Sequence, residues 1–273
     1  MSASTREGTA TGSSRPPRAF LRGVSAAGLP AGPASTTPVT EADLAGLPPV
    51  AARYLQAMGV VGRPRTWSLR AHFAGRFRLR PDRPWMPLDA WQYNSASEVA
   101  RLFRMRLLAA RVVPMWGWDT YRAGSGRMRG RVLGLVTVAD GSGPEFDTSE
   151  LVTWLNDAVL LAPTMLLEPA VTWTAVDDTA FDVALTDAGC TVTARVTVDD
   201  RGRVRDFGTE DRYAALPGGL TRARWTTPVD GWTTSGERPL PDGGRALWHL
   251  PEGPYEYGRA RVDPRAVAWN SAP

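Results

Sequence analysis

Residues 171–198 read VTWTAVDDTAFDVALTDAGCTVTARVTV, and this stretch decides the fold class. Val171–Val176, Phe181–Thr186 and Cys190–Val198 each alternate apolar with polar side chains, and turn residues separate them. A period of two sends successive side chains to opposite faces of a sheet, so each segment reads as a strand with one buried face. The same pattern continues on the C-terminal side. Asp199-Asp200-Arg201-Gly202 supplies a hairpin turn, and Val204–Tyr213, Ala223–Thr227, Ala246–Leu250 and Tyr255–Val262 follow as strands. It continues on the N-terminal side as well. Trp67, Leu69, Ala71 and Phe73 alternate with polar residues, and Phe77 and Leu79 resume after Gly75. Leu88, Ala90 and Gln92 oppose Asp89, Trp91 and Tyr93, while Phe103, Met105 and Leu107 alternate with Arg104 and Arg106. One further strand is expected over Met128–Val138. Strands recurring about every 10–12 residues, with few helices, predict a mainly β, β-rich α+β protein: a curved antiparallel sheet or open β-barrel with a few packed helices.

Three helical segments interrupt the strands. Thr40 caps the run Glu41–Leu44, and a second helix spans Val50–Met58 with Pro49 near its first position. The third is the clearest. Asp147 and Glu150 have capping-box spacing, Leu151, Trp154, Leu155 and Ala158 follow helical periodicity, and Pro163 ends the element. Thr153, Asn156 and Asp157 fall on the opposite face, which is either solvated or turned to a ligand. Leu160 shares that face and weighs against solvation.

Residues 1–40 are rich in Ser, Thr, Ala, Gly and Pro and are expected to form a disordered tail, leaving 41–273 as a single β-rich domain. The tail has no basic start followed by an apolar run of about 7–15 residues, so no signal peptide is read there and a cytoplasmic location is expected. No stretch is long and apolar enough for a transmembrane helix.

All 32 basic residues are arginine, against 28 acids. Residues 1–40 contain Arg6, Arg15, Arg18 and Arg22 with only Glu7, so the rest of the chain is almost neutral. Nucleic-acid binding, which needs a concentrated basic excess, is not expected. A single cysteine and two histidines exclude a disulfide framework and leave no basis for a metal site or other cofactor. The Gly124–Gly130 run has the wrong spacing for a dinucleotide fingerprint and leads into a strand. A Walker loop would need lysine, and the chain has none. Cys190 in its alternating strand reads as a small buried residue rather than a nucleophile. His72, opposite the apolar face of its strand, is read as facing solvent. The carboxylate pairs Asp177-Asp178 and Asp199-Asp200 point to water or to opposite faces.

Eleven tryptophans are spread through the elements. A curved sheet leaves an apolar cavity on its concave side, and Trp91, Trp116, Trp118 and Trp154 are candidates to line it with Met105 and Met115. The candidate polar groups are Gln92, Arg104, Tyr121, Asn156 and Asp157, with Tyr121 and Asp157 as proton donor and acceptor in an enzymatic version.

The order of motifs resembles a bacterial family of unknown function, DUF6544, from about Leu47 to Arg261. The resemblance rests on Leu47-Pro48-Pro49-Val50 with Arg53-Tyr54-Leu55, and on Trp85-Met86-Pro87 with Ala90 and Gln92-Tyr93. Asp119, Tyr121, Gly124 and Gly126 follow, then Leu155 to Pro163-Thr164 and Leu166-Leu167, Trp173, Asp177-Asp178, and the closing Trp248-His249-Leu250-Pro251-Glu252-Gly253. Where the family pattern carries arginine on the third helix, this chain has Thr153, and Asn156-Asp157 stand in the last two places. The resemblance implies a fold rather than an activity, one similar at fold level to lipoprotein-carrier and lipocalin-type ligand holders. The expected function is binding of a hydrophobic small molecule or lipid in the concave cavity. The alternatives are a cyclase- or isomerase-type enzyme of specialised metabolism acting there, or an interaction module whose barrel is filled. The oligomeric state is not readable from the sequence.

Overall fold

A computed structural model describes residues 15–33, 37–216 and 218–273. Its strands are β1 (Ser68–Phe77), β2 (Met86–Ser95), β3 (Ala100–Ala109), β4 (Val113–Arg122), β5 (Ser125–Val132) and β6 (Val136–Ser142), then β7 (Val171–Asp177), β8 (Ala180–Asp187), β9 (Cys190–Val198) and β10 (Val204–Thr209). They continue as β11 (Tyr213–Leu216), β12 (Gly219–Arg222), β13 (Arg224–Thr226), β14 (Val229–Ser235), β15 (Arg238–Leu250), β16 (Gly253–Val262) and β17 (Ala268–Trp269). The helices are α1 (Arg18–Ala26), α2 (Pro49–Ala57) and α3 (Pro144–Leu161).

One antiparallel sheet runs in the order β6-β5-β4-β3-β2-β1-β16-β15-β13-β10-β9-β8-β7, with β14 on β15 and β17 on β1. Its edges β6 and β7 do not pair, so the sheet is curved but open. Helix α3 packs against β4, β5 and β6 near one edge, β15 in the middle, and β9 and β10 near the other. A sheet that touches one helix from both of its edge regions must wrap around it. Near one corner the two arms meet through side chains: the Tyr121 hydroxyl donates to Asp187 at 2.6 Å, from β4 to the end of β8.

Tight turns hold the meander together. Ala110-Arg111, Ala123-Gly124, Leu133-Gly134 and Ala188-Gly189 each place two consecutive residues at positive φ; Ala123-Gly124 and Ala188-Gly189 form two-residue hairpins whose twist matches that of the strands, and the other two pairs open three-residue loops. Leu133-Gly134 falls in the middle of the strand expected over Met128–Val138 and splits it into β5 and β6. Gly126 lets α3 lie close against β5, since a Cβ there would strike the Phe146 carbonyl. Its N–H donates to Asp147 Oδ1 at 2.6 Å. Asp147 therefore ties helix to sheet instead of capping, and α3 starts a turn earlier, at Pro144.

The half of the concave face formed by β8–β10 is filled. Phe181, Val183, Leu185, Val192, Val196 and Phe207 pack against Leu151 and Leu155 of α3 and against α2. Tyr54 of α2 donates to the Val159 carbonyl at 2.7 Å and lies 5.3 Å from the Phe181 ring. Thr40 and Asp43 form the expected cap of the short turn Glu41–Leu44. Strand β14 and the first half of β15 were not read from the sequence, because Pro239, Pro241, Gly243 and Gly244 obscure the alternation.

The expectation of a disordered tail is corrected over residues 18–26; residues 1–14 and 34–36 lie outside those described. Phe20 and Val24 of α1, both buried, form a second core with Leu29, Trp91, Tyr93, Ala100 and Ala266 on the convex face. Two large apolar side chains one turn apart anchor a helix that the surrounding composition disguises. His72 is likewise not solvent-facing. It is 2% exposed, stacks 4.8 Å from Trp91 and lies 3.1 Å from Asp89 Oδ2.

Because α1 belongs to the fold, Phe20→Ala is expected to lower unfolding stability by about 2–4 kcal/mol, measured by urea denaturation. An unchanged midpoint would make α1 dispensable.

Candidate functional site

The other half of the concave face is vacant. Along the row that crosses β1, β16 and β15, Gly75 pairs with Ala260, which pairs with Gly244. The next row joins Phe77, Gly258 and Ala246. Side chains this small cannot reach α3, and a cavity of about 710 Å³ remains between sheet and helix. That lies within the range of ligand pockets, about 300–1,000 Å³. Phe73, Phe77, Leu88, Phe103, Met105 and Leu107 form much of its apolar wall, and Leu216 and Leu220 of the small β11–β12 hairpin border it.

A charged group closes the inner part of the cavity. Arg101 of β3 is almost fully buried; its Nε donates to Asp157 Oδ2 at 2.8 Å and its Nη1 to Glu150 Oε2 at 3.1 Å. Asn94 donates to the same Asp157 oxygen at 3.1 Å, and Gln92 donates to Asn94 Oδ1 at 3.1 Å. Thr227 donates to Asn156 Oδ1 at 2.6 Å. Asp119, opposite Phe103 in the β3–β4 register, also lines the cavity, and its shielded Oδ1 meets no donor among the described residues. On the far wall the Arg212 guanidinium lies 4.0 Å from the Trp225 ring and donates to the Tyr257 hydroxyl at 3.2 Å. Trp225 Nε1 donates to that hydroxyl at 2.9 Å.

Charge and burial shift these groups together. Burial, aided by the Asp119 charge and opposed by Arg101 and Arg212, pushes Glu150 up to about 7. Burial also raises Asp119, against the pull of the same two arginines. Burial alone would lower Arg101, but Asp157, Glu150 and Asp119 more than reverse that. The cluster thus sets three carboxyls against two guanidiniums, and burial favours the protonated forms of Glu150 and Asp119.

Strand parity divides most of the expected site residues; Trp116 is the exception, since it shares its strand face with Trp118 yet borders the cavity. Gln92, Met105, Trp116, Asn156 and Asp157 line the cavity, as do Thr153 and Leu160, so the polar face of α3 is the cavity face rather than a solvated one. Trp91, Arg104 and Trp118 do not line it. Arg104 pairs in register with both Trp91 and Trp118 on the convex side, and its guanidinium lies 5.8 Å from the Trp118 ring. Trp154 is core, with Nε1 donating to the Ser95 carbonyl at 3.0 Å. Tyr121 is also buried, and with its hydroxyl engaged by Asp187 it forms no proton-transfer pair with Asp157. Arg101, Asp119, Glu150 and Arg212 were missed. Counting back two residues from Phe103 puts Arg101 on the inward face, and Asp119 opposes Phe103 across the hairpin; Glu150 was read only as a cap. Cys190 is partly buried, 3.7 Å from the Thr148 hydroxyl. Among the described residues no group of His, Cys, Asp and Glu is arranged to hold a metal ion, and no helix is long and apolar enough to cross a membrane.

Comparison with known proteins gives one family and a fold likeness. The family of unknown function DUF6544 matches residues 37–260. No curated protein matches the sequence. Among solved structures, a domain described as an outer membrane lipoprotein-sorting protein from Vibrio parahaemolyticus is similar at 10% identity and a TM-score of 0.43, covering 81% of this chain and 90% of that one. A DUF1329 family protein from Desulfovibrio piger is similar at 11% identity and a TM-score of 0.29, covering 86% and 92%.

The raised Glu150 sets a pH dependence. Folded protein keeps this proton up to about 7, whereas the unfolded chain releases it near the ordinary 4.5. The native state therefore binds more protons in that window, and its stability is expected to fall as pH rises through it. Urea unfolding across the window should show a flatter slope for Glu150→Gln. An unchanged slope would place the effect on another group.

Proposed function

The chain belongs to the DUF6544 family, and from that premise and its cavity we propose that the protein binds a hydrophobic small molecule or lipid between the curved sheet and α3. The observation that carries this reading is the 710 Å³ space, apolar along its wall and charged at its inner part. Apolar surface leaving water supplies binding energy of about 25 cal/mol per Å², and the wall of Phe73, Phe77, Leu88, Met105 and Leu107 offers that surface. Polar groups then orient the ligand rather than drive its binding. Gln92, Asn156 and Asp157 serve this role, because their partners Asn94, Thr227 and Arg101 hold them in place. Asp119 supplies an acceptor that nothing among the described residues satisfies.

The preformed shape supports the same reading. Gly117 leaves the space that the Met105 side chain occupies. The aromatic wall is braced by the Trp225–Tyr257–Arg212 hydrogen bonds, so little side-chain freedom remains to be lost on binding. A ligand with a flexible apolar body and one small polar group fits this wall best.

Nile red, whose emission rises in apolar surroundings, is expected to bind the purified full chain and to be displaced by a long-chain alcohol. Ala260→Trp places an indole in the vacant row and is expected to lower Nile red affinity at least about tenfold. Unchanged binding by that variant, with its fold verified by circular dichroism, would move the ligand out of this cavity.

A further inference from the structure

The rim where the β1–β2, β3–β4 and β5–β6 hairpins turn carries apolar side chains that the fold does not use. Val112 is 75% and Leu135 83% exposed, and Leu79, Leu133, Val136 and Val138 are exposed as well. The Leu133 N–H donates to the Pro114 carbonyl at 2.9 Å and so sets the last two hairpin ends side by side. Leu133 occupies its turn at φ 53°. A branched residue is strained in that conformation and gains nothing from burial there. Exposed aliphatic side chains gathered in one place mark an interaction surface, whereas scattered ones need no explanation.

Charge identifies the partner. The rim loops 78–85, 110–113, 131–136 and 251–252 contain Arg78, Arg80, Arg83, Arg111 and Arg131 against Asp82 and Glu252. Trp85 lies in the same rim beneath Arg78, whose guanidinium is 4.7 Å from its ring. Aliphatic tips, a tryptophan at their base and an excess of arginine are what the interface of an anionic bilayer accommodates: acyl chains take the tips, headgroup level takes the indole and phosphates take the guanidiniums. A second copy of the chain fits less well, because a twofold contact would set the arginine-rich edge against itself.

We infer that this rim docks on the surface of an anionic phospholipid bilayer, with the Leu133–Val136 turn and Val112 entering the acyl boundary. Leu79 and Val138 belong both to this rim and to the cavity wall. A docked rim would therefore place the cavity against the lipid, although Val112, Leu133, Leu135, Arg111 and Arg131 lie outside the cavity wall and the docking does not need an occupied cavity.

The test is flotation of the full chain with vesicles of mixed phosphatidylglycerol and phosphatidylcholine, alongside vesicles of phosphatidylcholine alone. The protein is expected to float with the anionic vesicles and to be released by high salt. The double substitution Leu133→Ser with Leu135→Ser removes two exposed side chains and is expected to reduce partitioning about tenfold or more, with an unchanged urea midpoint. Arg111→Ser with Arg131→Ser is expected to reduce it several-fold and to weaken the salt dependence. Absence of vesicle association, or association unaffected by both double variants, would overturn the proposal. So would a dimer in sedimentation that the leucine variant dissociates without any vesicle binding, since the rim would then join two copies. Should the leucine variant unfold, the arginine variant decides alone.

Discussion

Arg101 fixes the position of α3, and the cavity depends on that position. Most of the helix is buried on every side, from Ser149 to Val159 without a break. The apolar face of Leu151, Trp154 and Leu155 orients so enclosed a helix only coarsely and leaves it some freedom to rotate. One guanidinium rising from β3 removes that freedom by taking Glu150 and Asp157 together, residues two helical turns apart on one face. Such a pair contributes little net stability against an apolar replacement, yet leaving either charge alone costs about 3–5 kcal/mol. Its effect is therefore one of address. Any rotation of α3 that withdrew these two carboxyls would strand a buried arginine.

With the helix so held, the sizes of facing side chains decide which half of the concave face is core and which is cavity. On β8–β10 the inward positions include Phe181, Val183, Leu185, Val192, Val196 and Phe207, which share one core with the helix. On β15 and β16 the inward positions include Gly244, Ala246, Gly258 and Ala260, which cannot. An empty apolar space loses stability in proportion to its volume because its walls lack partners. Here the polar inner part changes that balance: Asp119, Asn156 and Arg212 offer partners to ordered water or to a polar ligand group. The vacancy is thus tolerable when solvated and favourable to fill.

The strands were legible in the sequence because alternation survives wherever one face is buried. Cys190–Val198 was read to the residue, and the α2 and Glu41–Leu44 elements to within one or two positions. The site was legible only in part. Alternation separates the two faces of β2–β4 but does not say which face meets α3. Trp91, Arg104 and Trp118 were accordingly grouped with Gln92 and Met105, although neighbours in a strand cannot share a face. What hid the parity was α1: it makes the convex face apolar too, and nothing in residues 1–40 beyond Phe20 and Val24 announces it. Glu150 and Arg212 were illegible for another reason. Their meaning lies in each other's proximity across the sheet, which no local spacing records.

The two ends of the cavity differ in what borders them. At the corner where Tyr121 meets Asp187 and Asp147 takes the Gly126 N–H, hydrogen bonds join helix and sheet arms. At the opposite end the wall runs out through Phe77, Leu79 and Val138 to exposed aliphatic side chains. A molecule entering there meets apolar surface first and charge last. A polar group leading the way loses its hydration along the wall and recovers partners only at Asp119, Asn156 and Asp157. That penalty grows with the size of the polar group. Under the proposed binding role, that cost would favour ligands whose polar part is small enough to travel ahead of an apolar body.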